Sequence, residues 1–211
     1  MRPKHVKLHR GHILKPPMST TTTSAPGNPN ELIRTRWSPR DFSSRAVEPA
    51  TLRSLFEAAR WAASCFNEQP WRFVIATKAE PDKFERMLGL LMEKNQQWAK
   101  TAYALGFSTG KKTFSHNAAP NRFGLHDTGA ATANLAIEAT ALGLRAHFMG
   151  GFDAQRARAE FHVPEDFEIG AAFAIGYIDE AATAPGERKR RSLEEIVFGG
   201  DWGTEAPFLQ P

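Results

Sequence analysis

Two short segments of this chain carry side chains that suit a single ligand. The run Arg-Trp-Ser-Pro-Arg-Asp-Phe at 36–42 places Arg36, Ser38 and Arg40 within five positions. Arginine offers a planar fork of donors to anionic oxygens and serine adds a short hydroxyl donor, so the run suits a phosphate. The second segment, Ser-Cys-Phe-Asn-Glu-Gln-Pro-Trp at 64–71, sets the amides of Asn67 and Gln69 beside Phe66 and Trp71. Amide groups next to rings suit a flat heteroaromatic molecule with a polar edge. Taken alone, R-x-S-x-R also reads as a solvated surface turn; the pairing of the two segments is what points to a ligand.

Together these segments resemble the N-terminal signature of the FMN-dependent nitroreductase family, and the resemblance runs from about Asn30 to Val197. Asn95 and Trp98 stand where that family places flavin-contacting groups. The run Asp-Thr-Gly-Ala at 127–130, with Asn134, Leu135, Gly143 and Leu144, resembles its long central helix and exit. The run His-Phe-Met-Gly-Gly-Phe-Asp at 147–153 is similar to its flavin-facing loop, and residues 188–193 to its C-terminal basic segment.

The resemblance implies bound FMN and assigns roles residue by residue. Arg36 and Ser38 match positions that hold the phosphate, with Arg188 and Arg190 as the C-terminal pair that closes over it. A slip by one residue leaves Lys189 and Arg191 open for the same role, and a solvated charge cluster is the plain alternative. Arg40 matches a basic position beside the flavin N1/O2 edge, where a fixed cation stabilises the charge of the reduced form. Asn95 completes that edge through its amide. Trp37 stands where relatives often carry a polar residue, which places its ring to stack on the cofactor.

Ser64, Cys65 and Asn67 match the loop that reaches the flavin held mainly by the other subunit. Ala63 and Cys65 depart from the usual proline and serine there, and a thiol is the weaker donor. No base or cationic helix terminus is assigned to Cys65, so it is not read as a nucleophile. Met149, Gly150 and Gly151 fall in the flavin-facing loop, where the backbone N–H of Gly150 is directed at flavin N5 and glycine permits close approach. A simple Gly-Gly turn is the other reading of that pair.

The activity implied is that of an NAD(P)H-using oxidoreductase. Hydride passes through flavin N5 to an electron-poor small molecule, a nitroaromatic, quinone or activated alkene, in ping-pong exchange; the cofactor performs the redox step and the protein supplies orientation and charge. Alternatives within the class are a specialised relative reducing an aldehyde or enone, or oxidising a substrate with oxygen. Outside it stand a flavin-binding protein without turnover and a basic nucleic-acid-associated protein.

Composition narrows these classes. A chain of 211 residues fits one domain with a sizeable core. No apolar run approaches the roughly 18 residues of a membrane span. The single cysteine allows no intrachain disulfide, so a cytoplasmic protein is expected, and no Cys/His spacing matches a metal site. The net charge of +4 gathers at both ends of the chain without a nucleic-acid-binding motif, so no nucleic-acid partner is expected. No G-x-S-x-G elbow supports a hydrolase triad from His126, Asp127 and Ser108 or Ser115, and neither a G-x-G-x-x-G nor a Walker A loop is present.

The elements that must position these residues follow from periodicity and turn signals. Residues 1–29 read as a disordered or misassigned basic tail, with Met18 as an alternative start, and 30–211 as the flavin-binding domain. A helix is predicted from about Pro49 to near Ala63, a strand over 71–77, and a helix from Pro81 running towards Trp98. A strand over 103–107 and a loop over 114–125 follow. A mostly buried helix over 127–142 is capped by Gly143, and beyond it come a short extended piece at 147–149, a helix over 154–161 and a core strand over 169–178. Pattern alone gives α+β or α/β. The resemblance implies α+β, a central mostly antiparallel sheet flanked by helices, in an intertwined, domain-swapping homodimer that shares two flavin sites.

Overall fold

The computed structural model describes residues 27–179, 186 and 188–209. The tail expected over 1–29 therefore lies outside the described residues up to position 26.

Asn30 opens a short helix, α1 (Glu31–Thr35), where its side chain accepts the Leu32 N–H at 2.9 Å. Pro49 then starts α2 (Pro49–Arg60), a first-turn position that needs no N–H. This helix ends at Arg60, short of the expected Ala63. The Trp61 N–H turns back to the Ala58 carbonyl, and the chain leaves into the loop that carries residues 64–69.

Four strands make one sheet: β1 (Trp71–Thr77), β2 (Ala104–Lys111), β3 (Leu144–Met149) and β4 (Phe167–Tyr177). Their spatial order is β1-β2-β4-β3, and every neighbouring pair is antiparallel. The expected strand at 103–107 thus runs on to Lys111. Its polar end stays buried because the Ser108 hydroxyl fills an irregularity in the ladder, accepting the Ala171 N–H at 3.2 Å, while Thr109 pairs with Ile169.

Each face of the sheet is covered by helices. On one face α2 and α5 (Gly124–Ala141) pack Leu55, Ala59, Ala131, Leu135 and Ala139 against Trp71, Leu144, Phe173 and Ile175. On the other, α3 (Pro81–Leu88), α4 (Glu93–Ala99) and α6 (Ala154–Glu160) bring Phe84, Met87, Ala99 and Ala157 onto Leu105, Phe107, Met149 and Ala174. The fold is α+β with a fully antiparallel sheet.

Two element boundaries differ from expectation for reasons of packing. The helix predicted from Pro81 towards Trp98 is two helices, broken over 89–92, where the Leu90 carbonyl accepts the Asp153 N–H and the Met92 N–H donates to the Gly151 carbonyl. Leu91 instead forms a β-bridge with Phe152. The central helix begins at Gly124, before the expected Asp127, and ends at Ala141 with Leu142 as its cap and Gly143 at φ +78°, the left-handed exit that glycine permits.

The centre of the sheet leaves no room at Gly106. A Cβ there would lie 2.3 Å from the Val74 carbonyl oxygen and 2.5 Å from Cζ of Phe173, which is fully buried. Gly106→Ala should therefore destabilise the domain by at least the ~1–3 kcal/mol typical of overpacking. Thermal unfolding of the two proteins side by side checks this, and an unchanged midpoint contradicts the close approach.

Candidate functional site

Four arginines meet at one cavity. An open cavity of about 610 Å³ is lined by Arg34, Arg36, Arg188 and Arg190 beside Pro29 and Ile33. Arg36 lies at the C-terminus of α1 and donates from Nη1 to the Ser38 hydroxyl at 3.3 Å. Its guanidinium is held below the ordinary arginine range, first by burial and then by the positive charges of Arg188 and Arg190. None of the four arginines forms an ion pair with a carboxylate among the described residues. Arg188 is the brace: its terminal nitrogens donate to the backbone carbonyls of Arg36 and Arg34. Lys189 does not line the cavity, and Arg191 is paired with Glu195 at 3.5 Å.

The segment that follows is pinned along its length. Pro39 is buried and its carbonyl meets His147 Nδ1 at 2.6 Å. Phe42 is buried, its N–H donates to Thr101 Oγ1 at 3.2 Å, and the Ser43 N–H reaches the Tyr177 carbonyl at 2.9 Å. Arg40, between these anchors, is exposed and makes no hydrogen bond or ion pair among the described residues. Trp37 is half-buried. Trp98 does not stand free for a ligand: its ring packs on His147 at 4.5 Å between centroids and on Phe42 at 6.4 Å.

The end of β3 delivers Met149, Gly150 and Gly151. Met149 turns its side chain into the core, which leaves only its backbone for a ligand. Gly150 is exposed, and its N–H has no hydrogen-bond partner among the described residues. Gly151 is fixed: its carbonyl accepts the Met92 N–H and Asn95 Nδ2, both at 3.0 Å, and a Cβ on it would lie 2.7 Å from that nitrogen. Asn95 thus holds the glycine loop with its amide nitrogen, and its oxygen is the group left to complete a ligand's edge. The Asp153 N–H donates to the Leu90 carbonyl at 2.8 Å, so the break between α3 and α4 exists to receive this loop.

The loop carrying Ser64, Cys65 and Asn67 is strained and braced. Phe66, Asn67 and Gln69 have φ of +52°, +54° and +50°, a conformation that costs non-glycine residues of order 1–3 kcal/mol each. Ser64 Oγ accepts the Gln69 N–H at 3.0 Å, and the Cys65 N–H donates to Asp127 Oδ2 at 2.9 Å. Asp127 is 4% exposed in the first turn of α5 and also receives His126 Nδ1 on Oδ1 at 3.0 Å. Glu68 ties the loop to the next one by accepting the Ser115 N–H at 2.9 Å and its hydroxyl at 2.5 Å. Phe66, 80% exposed, meets the rings of Phe114 and His116 edge on.

Of the predicted residues, then, Arg36, Ser38, Arg188 and Arg190 form one cluster, and Asn95, Met149, Gly150 and Gly151 another. Arg40 and Trp37 lie on the pinned segment that leads from the arginines to His147, three positions before Gly150. Sequence reasoning missed Arg34, although it stands two positions before Arg36, and it missed Asp127, His147 and Glu68 as anchors. Nothing in the spacing marks those three, since each acts on a segment distant in the chain.

A model of the nitroreductase family matches residues 33–177. The chain belongs to the nitroreductase family. It is 36% identical over 133 residues to an uncharacterised 15.4 kDa protein of Mycolicibacterium smegmatis, covering 59% of this chain and 88% of that one. An Archaeoglobus fulgidus protein, provisionally named an NADH dehydrogenase/NAD(P)H nitroreductase, is 25% identical over 154 residues, 70% of this chain and 83% of its own. Among solved structures, one described as an oxidoreductase containing FMN superposes with a TM-score of 0.78 at 34% identity, covering 89% of this chain and 99% of that chain.

Membership of the nitroreductase family gives the Asp127 contact its interest, since that carboxylate holds the strained 64–69 loop from behind. Asp127→Ala leaves the Cys65 N–H without its charged partner, at an expected cost of about 1.5–3 kcal/mol. Amide hydrogen exchange should quicken selectively over 65–69. Unchanged exchange there would show that Asp127 does not hold the loop.

Proposed function

We propose that this nitroreductase-family protein is an FMN-dependent oxidoreductase of the cytoplasm that takes hydride from NAD(P)H and delivers it to an electron-poor small molecule by ping-pong exchange, with residues 30–211 as the flavin-binding unit. One observation carries the reading: Arg34, Arg36, Arg188 and Arg190 converge on one cavity without a carboxylate among the described residues. Cations crowd in this way where an anion is to be received, because like charges repel until one binds. The N–H of Gly150 and the guanidinium of Arg40, both without a partner among the described residues, fit the same molecule. FMN content in the 34% identical structure supports the choice of anion, and the name of the Archaeoglobus relative supports NAD(P)H.

The chain's own residues divide the work. Arg36, Ser38 and Arg190 hold the phosphate, while Arg188 keeps their backbone in place through the Arg34 and Arg36 carbonyls. Arg40 supplies a fixed cation at the pyrimidine edge, and Asn95 adds its amide oxygen there. Gly150 offers its backbone N–H to N5, held in position by the Gly151 carbonyl bonds to Met92 and Asn95. When bound, FMN supplies the two-electron chemistry, accepting and returning hydride at N5. No side chain acts as a covalent catalyst.

A homodimer completes this reading, with Ser64, Cys65 and Asn67 reaching the partner's cofactor. In a single chain Phe66, Trp61, Trp202 and Phe208 are 80%, 77%, 92% and 77% exposed, large apolar groups that a second subunit would cover.

Purified protein should take up FMN one to one, and NAD(P)H should bleach it; colour that NAD(P)H does not bleach marks a binder without turnover. Arg36→Ala removes a charge-assisted contact worth roughly 1.5–3 kcal/mol, so FMN should bind about ten- to a hundredfold more weakly in a folded protein. Equal retention rejects the phosphate assignment. FMN should also favour association by mass action. Sedimentation of apo and holo protein across a dilution series checks this, and a monomer that holds FMN with full affinity removes Cys65 and Asn67 from the partner's site.

A further inference from the structure

Arg40 owes its place to its neighbours, because it has no partner of its own among the described residues. On its C-terminal side the chain is fixed by buried Phe42 and by the Thr101 and Tyr177 bonds. On its N-terminal side the adjacent main-chain group, the Pro39 carbonyl, is met by His147 Nδ1 at 2.6 Å, across 108 positions of sequence; the Arg188 bonds reach the main chain only further back, at Arg36 and Arg34. A carbonyl only accepts, so the Nδ1 atom carries the proton and donates it. We infer that His147 is a positioning residue, one whose Nδ1–H bond to Pro39 sets where the Arg40 guanidinium stands.

His147 is suited to that task by its surroundings. Its ring is half-buried and clamped against Trp98, and its backbone pairs with Ala174 in the sheet, so the donor has little freedom to move. Burial, first among the causes, holds the imidazole below its ordinary range, partly offset by the Pro39 bond, and Arg40 lowers it further. The charged group bearing on His147 is therefore Arg40 from the loop; α4 meets it with the neutral indole of Trp98 and β4 with Ala174. These effects favour the neutral ring, which acts through direction rather than charge. The same residue lies on β3, three positions before Gly150, so one strand places both the cation and the N–H that the proposed function uses.

The inference rests on the Arg40 role proposed above, and a double-mutant cycle on the midpoint potential of bound FMN separates the two. Arg40→Gln should lower the potential, because the reduced flavin loses a stabilising cation. His147→Phe keeps a ring against Trp98 but deletes the donor; it should reduce the preference for reduced over oxidised FMN roughly tenfold, about 30 mV for a two-electron couple. His147→Asn, which offers an amide N–H near the former Nδ1, should restore most of that loss. In the Arg40→Gln background His147→Phe should have no further effect.

If Arg40→Gln lowers the potential and His147→Phe does not, the positioning role is wrong while the proposed function stands. Additive losses in the double variant likewise overturn it, because His147 would then act independently of Arg40. An unchanged potential in Arg40→Gln rejects both the role of Arg40 and the inference built on it. In the FMN-free protein, nitrogen NMR of His147 should show the proton on Nδ1 at neutral pH; an Nε2–H tautomer refutes the bond to Pro39 whatever the flavin does.

Discussion

The crowding of like charge at the arginine cavity is the constraint on which the rest of this structure depends. Guanidinium groups repel, and no carboxylate among the described residues relieves Arg34, Arg36, Arg188 or Arg190. Arg188 shows how the fold tolerates this: it donates to two main-chain carbonyls, whose partial negative charge is the only compensation that does not compete with an anion for the other arginines. A carboxylate in the same place would stabilise the free protein and block the cavity.

From that cluster a single stretch of chain leads to the sheet. Residues 39–43 are fastened to β3, β4 and the end of α4 by one bond each from His147, Tyr177 and Thr101, and by the buried ring of Phe42. The glycine loop beyond β3 is fastened in turn to the break between α3 and α4. Both segments thus hang from the same sheet face, and a rigid antiparallel ladder fixes the distance between them. The 64–69 loop hangs from the opposite side, through Asp127 of α5, and its left-handed residues are held against their own preference by Asp127 and Glu68. Backbone strain of this kind persists only where the surroundings over-determine it.

Much of the architecture was legible because it rests on local rules. Pro49 and Pro81 mark helix starts, Gly143 marks an exit, and the apolar runs within 71–77 and 169–178 mark buried strands. Where local rules failed, tertiary packing was the cause. Phe84, Leu88, Leu91 and Met92 satisfy helical periodicity well enough to suggest one long helix, but Leu91 bridges to Phe152 and Met92 is exposed. Met149 read as a ligand contact through its place in a motif, whereas the alternation of β3 turns its side chain inward.

By itself the sequence determined the family, the order of elements and the identity of the charged and amide groups, because residue type and spacing along the chain are enough to specify each of these. Only the tertiary structure decided which arginines face the cavity, that Arg188 braces while Arg191 is occupied by Glu195, and that Asp127, Glu68 and His147 hold the loops. Apart from the Arg191–Glu195 pair, those contacts join residues 47 to 154 positions apart, and a hydrogen bond of that reach leaves no trace in local composition. Its donor and acceptor meet only once the sheet has brought the two segments face to face.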